Sequence, residues 1–245
     1  MRRLFAPILV FIFASLCPGQ VETSQTRDKI GSAYPLESIK GWLSPRKDES
    51  RSFEIFLDET VTRSGGRSVS LRFKGDYGPP NNTFLMQTIR ADNYLGKRVR
   101  FSAFAKAENV ESAGFSLRVE GDGMTVLNQD MMERRPITGT RDWQRYDIVM
   151  DVPPHSKQLV FLIRLKGSGQ IWVDDLKFEE VGQEIPVTTT SSPSEIEARS
   201  NRVVESYRSA NPKAYRRQLK GFDERNTSAA LEPVNLDFED QQPAP

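Results

Sequence analysis

The sequence predicts an all-β protein, a sandwich of about eight or nine antiparallel strands over residues 35–181, from three observations. Short runs alternate apolar and polar residues, turn-forming residues separate them at regular intervals, and no helical periodicity of useful length falls between them. Val69, Leu71 and Phe73 alternate with Ser70, Arg72 and Lys74. Val99, Phe101 and Ala103 do the same, as do Phe115, Leu117 and Val119, and then Leu159, Phe161, Ile163 and Leu165. Side chains of a strand point alternately to its two faces, so each run has one buried and one wet face. That is the reading of antiparallel sheets; parallel strands read as continuous apolar runs. Further strands are predicted at 53–57, 84–89, 124–127, 146–150 and 170–178. Ser64-Gly65-Gly66, Asp76 to Asn82, Leu95-Gly96-Lys97, Gly121-Asp122-Gly123, Val152-Pro153-Pro154 and Gly167-Ser168-Gly169 mark the turns.

The two ends read differently. Residues 1–19 open on Met1-Arg2-Arg3, continue through an apolar run to Leu16 and offer small residues before Gln20. This is the pattern of a secretory signal peptide, with an uncleaved anchor as the alternative and lipidation of Cys17 poorly supported. The chain is therefore expected to be exported, periplasmic or extracellular, with a flexible lead-in over 20–34. Residues 182–192 have a linker composition. A helical segment is expected over 193–222, with Ser192 as cap, Pro193 at the first helical position and Glu195 reaching back, interrupted at Asn211-Pro212. The last stretch, 223–245, reads as a disordered tail, save that 234–239 alternates like a strand and could add to a sheet edge.

Composition narrows the chemistry. Thirty-four Lys and Arg face thirty-three Asp and Glu, leaving a net charge of +1 and no global field for nucleic acid or an anionic membrane. Arg134, Arg135, Arg141 and Arg145 are interleaved with Glu133, Asp142 and Asp147, unlike a nucleic-acid face. Cys17 is the only cysteine, so cleavage after Gly19 removes thiol chemistry and disulfides together. His155 is the only histidine and sits in a turn, too little for a triad or an imidazole metal centre. Asp174 and Asp175 are strand neighbours that face opposite ways. No nucleophile elbow or phosphate-binding glycine loop is present, and the chain is read as non-catalytic.

Four segments carry a family resemblance. They are Leu36-Glu37-Ser38-Ile39-Lys40-Gly41-Trp42; Ser64-Gly65-Gly66-Arg67-Ser68-Val69-Ser70-Leu71; Gln87-Thr88-Ile89 with Tyr94-Leu95-Gly96-Lys97 and the strand to Ala103; and the pair Thr140–Tyr146 and Ile171–Leu176. In this order they resemble the carbohydrate-binding-module-like, or galactose-binding-like, jelly rolls of bacterial exported proteins. Asn235-Leu236-Asp237-Phe238-Glu239 resembles the family opening again at the other end of the chain, as the vestige of a following repeat or a strand donated to the same fold.

The resemblance implies a jelly-roll sandwich that binds rather than catalyses. It places Trp143 and Trp172 in the core, Gln87 on a concave face, and Glu37 and Asp175 at a structural Ca²⁺ site. From the residues, Tyr77 in the Asp76–Pro80 loop is the candidate platform for a sugar ring, with Asn128, Gln129 and Arg135 as polar contacts nearby. The expected function is an extracytoplasmic binding module for a glycan or similar polar cell-envelope ligand. The alternative is a scaffold that binds another protein through the sandwich edge and the tail, and a hydrolase with an unrecognised carboxylate site is a distant third.

Overall fold

A computed structural model of the chain describes residues 33–35, 39–45, 52–75 and 81–240. The segment read as a signal peptide, most of the lead-in, and Glu37 and Tyr77 lie outside these residues.

Among the described residues the strands are β1 Ala33–Pro35, β2 Leu43–Pro45, β3 Phe53–Asp58, β4 Ser68–Phe73, β5 Asn82–Arg90, β6 Arg98–Glu120, β7 Val126–Asp130, β8 Ile137–Asp151, β9 Gln158–Lys166 and β10 Gln170–Val181. Helices α1 Pro193–Ala210 and α2 Pro212–Ser228 follow. Every strand pairing is antiparallel. The fold is the expected β-sandwich.

The two layers share β6. The sequence reads Arg98–Ala103 and Phe115–Val119 as separate strands, but no proline or glycine turn intervenes, and the strand continues through Asn109, which sits at a positive φ of 51°. Its first half pairs with β10 and β8, and its second half with β9 and β7. The register against β8 slips three times between Ala105 and Ala113, where the strand passes from one layer to the other. Ala105, Ala107, Val110 and Ala113 are buried there, small enough for the layers to approach.

The core between the layers follows from the alternation. Leu85, Gln87 and Ile89 of β5 face it together with Leu165, Ile163, Phe161 and Leu159 of β9 and Phe115, Leu117 and Val119 of β6. Val69, Leu71, Ile171, Val173, Val99 and Phe101 come from the other layer. The expectation for tryptophan is corrected here. Trp42 is in the core, whereas Trp172 is buried on the outer face of β10 with its indole N–H on Asp58, and Trp143 is only half-buried.

The helices are capped as their sequence dictates. Glu195 N–H donates to Ser192 Oγ at 3.3 Å and Ser192 N–H donates to the Glu195 carboxylate at 3.0 Å, a reciprocal capping box. Helix α1 lies along the free edge of β7, where Val126 N–H donates to Ser200 Oγ at 2.8 Å, so a bare strand edge is covered. Tyr215, Phe222, Val204, Tyr207 and Leu219 pack with Met124 into a small separate cluster. Helix α2 runs on to Ser228, six residues past the expected helical limit.

The segment after α2, expected to be disordered, is corrected: residues 229–240 cross the open end of the sandwich as a strap. Ala230 bridges to Ile89 in parallel, and Arg90 N–H donates to Ala230 at 2.8 Å. The Val234 backbone pairs with the Gln87 amide in both directions, each at 2.9 Å. Trp42 donates its indole N–H to Asn235 O at 3.1 Å. The β10 bulge after Asp174 frees Leu176 N–H, which donates to Leu236 O at 3.2 Å. Phe238 is fully buried, its ring 5.6 Å from that of Trp42. Glu239 then accepts from the Gly66 and Arg67 N–H groups on the opposite layer. The strap is held because it fills core space; polarity of the surrounding tail does not decide it.

Replacing Phe238 by Ala should lower the unfolding free energy by about 3–5 kcal/mol, the usual penalty of emptying a buried phenylalanine site. Urea unfolding measures it; a change below about 0.5 kcal/mol, the level of an ordinary surface substitution, would mean that the strap does not belong to the core.

Candidate binding cleft

The outer face of the β7–β6–β9–β5 layer carries a different set of side chains. Register places Gln129, Arg118, Val160 and Thr88 in one row across it, and Gly114, Arg164 and Phe84 in another. Phe84, Met86, Val160 and Leu162 form a buried apolar patch on one side of this face. Arg118 and Glu120 pair at 2.6 Å, both buried, and Gln158 donates to Glu120. Arg225 of α2 lies in the field of this pair, so the helices stand over this face. Burial pushes the Arg225 guanidinium down from its usual value, with Glu120 opposing and Arg118 assisting.

Where α1 stands away from the sheet, a cleft of about 1010 Å³ remains. Its floor is Ser112, Asn82, Arg164, Lys166 and Gln129; its walls are the Met131–Pro136 loop, linker residues 188–191 and α1 from Glu195 to Arg202. The floor is rigid sheet, and the walls carry long cationic side chains. Gln129 Oε1 is buried with no hydrogen-bond partner among the described residues. Arg164 is half-buried and makes no hydrogen bond or ion pair among them. Burial pushes its guanidinium down from the ordinary arginine value, and the Glu133 charge opposes this through space. Asp130 is consumed by the fold: it accepts from Arg135 at 2.7 Å, from Met132 N–H at 2.9 Å and from the Thr188 hydroxyl at 2.6 Å. Those bonds tie linker and loop to β7.

The expected site residues scatter. Gln129 and Arg135 line the cleft. Asn128 does not: it is buried on β7, donating to Asp151 O at 2.9 Å. Gln87 lies on the core-facing side of β5, between Leu85 and Ile89, where the strap takes up its amide. A concave-face role is corrected for it. Tyr77 and Glu37 fall outside the described residues. The floor residues Arg164 and Lys166 were not singled out from sequence. A signal was available, since the outward positions of β9 between its core residues are Val160 and Leu162, apolar where a wet face should be polar.

The acidic residues near β10 hold a loop. Asp174 is 1% exposed and accepts N–H groups of Arg63 at 2.8 Å, Ser64 at 3.1 Å and its neighbour Asp175 at 2.7 Å. Burial pushes its carboxyl above the ordinary range, against the pull of these three donors. Asp175, at a positive φ of 49°, pairs with the Arg63 guanidinium through one oxygen and the Ser64 hydroxyl through the other. Arg63 also stacks over Phe104 at 3.4 Å. With both oxygens facing donors, Asp175 is poorly set to ligate Ca²⁺, and no group of three or more metal-ligating side chains gathers among the described residues. His155 is exposed and approaches Glu197 of α1 at 3.8 Å.

No protein-family profile matches the chain. It is 36% identical over 182 residues to a Bacillus subtilis protein named as an uncharacterized HTH-type transcriptional regulator, YbfP; the match covers 73% of this chain and 61% of that relative, under two thirds of its length. Among solved structures it is similar to the CBM22-1 xylan-binding domain from Paenibacillus barcinonensis, at 10% identity and a TM-score of 0.42, over 58% of this chain and 86% of that one. A family 22 carbohydrate binding module of Clostridium thermocellum gives 14% identity and 0.42, over 61% and 91%. The enzymatically active domain of a bacteriophage CBA120 tailspike gives 15% and 0.45, over 59% and 20%. What the cleft can bind is set by its own side chains.

Two outcomes follow from this geometry. Gln87→Ala should cost about 2–3 kcal/mol of stability by leaving both Val234 backbone groups unpaired, while ligand affinity at the cleft stays unchanged. Asp58 offers a pH readout. Burial raises its carboxyl, but the Trp172 indole, the Thr60 hydroxyl and the Thr60 and Val61 N–H groups outweigh it, leaving the carboxyl below its ordinary value of 3.8. Its contribution to stability is present above that ordinary value and is lost as pH falls through the lower folded one. The Trp172 indole N–H resonance should titrate below pH 3.8 and lose that transition in Asp58→Asn.

Proposed function

We propose that the chain is an extracytoplasmic, non-catalytic module that binds a glycan or similar polar cell-envelope ligand in this cleft. The observation that carries the reading is a large polar cleft with a sheet floor, whose Gln129 Oε1 and Arg164 guanidinium have no partner among the described residues. Gln129 and Arg164 both line this cleft, and the Arg164 guanidinium, which no described residue takes up, is a donor that a polar ligand can complete. Asn82, Ser112 and Thr188–Ser191 add amides and hydroxyls around them. The cleft volume, about 1010 Å³, is at the upper end of small-ligand sites, room for an extended polar molecule.

Two of the cleft carboxylates already have other work. Asp130 is locked by Arg135, Met132 and Thr188, and Glu195 closes the cap of α1. Neither is poised as an acid or base toward the cleft. The scaffold reading relies on the tail as a free binding element, and that element is spent within its own fold, since Phe238 is in the core and Leu236 packs against it.

A glycan array probed with the full chain checks this. At least one glycan should bind, and Gln129→Ala should weaken it about fivefold to tenfold, the worth of one hydrogen bond to a neutral group. An array without a single hit would return the weight to the scaffold.

A further inference from the structure

We infer that the cleft selects anionic glycans, with Arg164 gripping a carboxylate or phosphate carried on a sugar; this rests on the binding reading above. The charge around the cleft is not that of the chain. Arg134, Arg135, Arg164, Lys166, Arg199 and Arg202 line it, against Asp130, Glu133 and Glu195. The whole chain carries only +1. Setting aside Asp130 with Arg135, which pair with each other at 2.7 Å, leaves the cationic excess unchanged.

Arg164 is the centre of this arrangement. It stands on β9 between Gly114 of β6 and Phe84 of β5 in register, so its neighbour on the β6 side carries no side chain. A half-buried guanidinium without a contacting carboxylate is an unusual thing for a fold to hold, since removing a charge from water is costly unless it is paired. Glu133 acts on it only through space, from an exposed loop. The planar fork of Arg164 is unfilled, and a carboxylate or phosphate fills such a fork with two parallel hydrogen bonds.

The lining also speaks against a neutral sugar as the preferred ligand. Neutral rings are commonly held by an aromatic face with a few hydrogen bonds around it. No aromatic residue lines the cleft among the described residues, and its cationic side chains outnumber its carboxylates. Discrimination here comes from charge, with Gln129 and the linker hydroxyls left to read the sugar's own hydroxyls. Arg199 and Arg202, one turn apart on α1, form the opposite wall and supply a more exposed, screened attraction along the same ligand.

The test is calorimetric titration of the full chain with three probes: an oligogalacturonate, a phosphorylated oligomannose and neutral cellohexaose. At least one anionic probe should bind tenfold or more tighter than cellohexaose, and which of the two binds tells carboxylate from phosphate. Its affinity should fall severalfold between low and physiological salt. Arg164→Met, which keeps the stem, should cost about tenfold to a hundredfold, as expected for charge-assisted bonds. Arg202→Ala, at an exposed position, should cost less, with no change in melting temperature, and guards against a folding artefact at Arg164. Cellohexaose binding as well as either anionic probe, with Gln129→Ala weakening it and Arg164→Met leaving it intact, would overturn the charge selection while sparing the binding function. Binding of none of the three overturns the charge selection; the glycan array then decides the binding function separately.

Discussion

The burial of Phe238 against Trp42 is the contact on which the rest of the architecture depends. The two layers of the sandwich are joined along β6 and part at the end where β2 and β4 stand. β2 holds to β5 by a single register pair, Leu43 with Met86. Such an end would leave Trp42 and the inner face of β5 open. The strap closes it by spanning from Ile89 and Gln87 on one layer to Leu176, Gly66 and Arg67 on the other. Local backbone reinforces the closure. Gly41 sits at φ +83°, and a Cβ there would collide with Val234, so only glycine lets the strap lie this close. The cost is entropic, because the strap's partners lie far away in sequence, and a core aromatic is what offsets it.

Closure from the C-terminal side dictates where a ligand can go. Gln87 is taken up by Val234, and the inner face is filled with core side chains. The outer face of the β7–β6–β9–β5 layer is what remains. The chain must also travel from the end of β10 to the start of the strap, and it does so through the linker and the α1–α2 hairpin. That route covers the edge of β7 and walls the cleft. Asp130 joins the two functions: through Thr188 it anchors the linker, and through Arg135 and Met132 it shapes the facing loop. Stability and site are therefore coupled along one path of chain.

Much of this was legible in the residues. Alternation with Gly and Asn-rich turns gave the strands, because a half-buried antiparallel sheet prints its two faces directly on the sequence. Ser192-Pro193-Ser194-Glu195 marked the helix start, because capping is local chemistry. What failed was long-range. Nothing near Gln87 tells which way its strand will turn relative to a tail more than a hundred residues on. The 223–245 stretch reads as disordered because it is polar on average, yet within it one buried ring and a few backbone bonds fix residues 229–240. The alternating Asn235–Glu239 run carried the only hint. The long β6 was cut in two because small residues at its corner weaken the alternation without breaking the strand.

The cleft was missed for a related reason, and the reason is physical. Net charge sums over the surface, whereas binding responds to the potential in one concavity with low-dielectric walls. A chain at +1 can hold a cationic cleft provided its acids are placed elsewhere. They are: Asp58, Asp174 and Asp175 hold the 60–64 loop and Trp172, Asp151 pairs with Arg98, and Glu239 pins the strap. Carboxylates held in ion pairs or lying far from the cleft are screened there, while Arg164 keeps its whole charge inside the cleft. The distribution of acids over structural duties is thus what gives the cleft its sign, and it is visible only once the strands have brought those duties together.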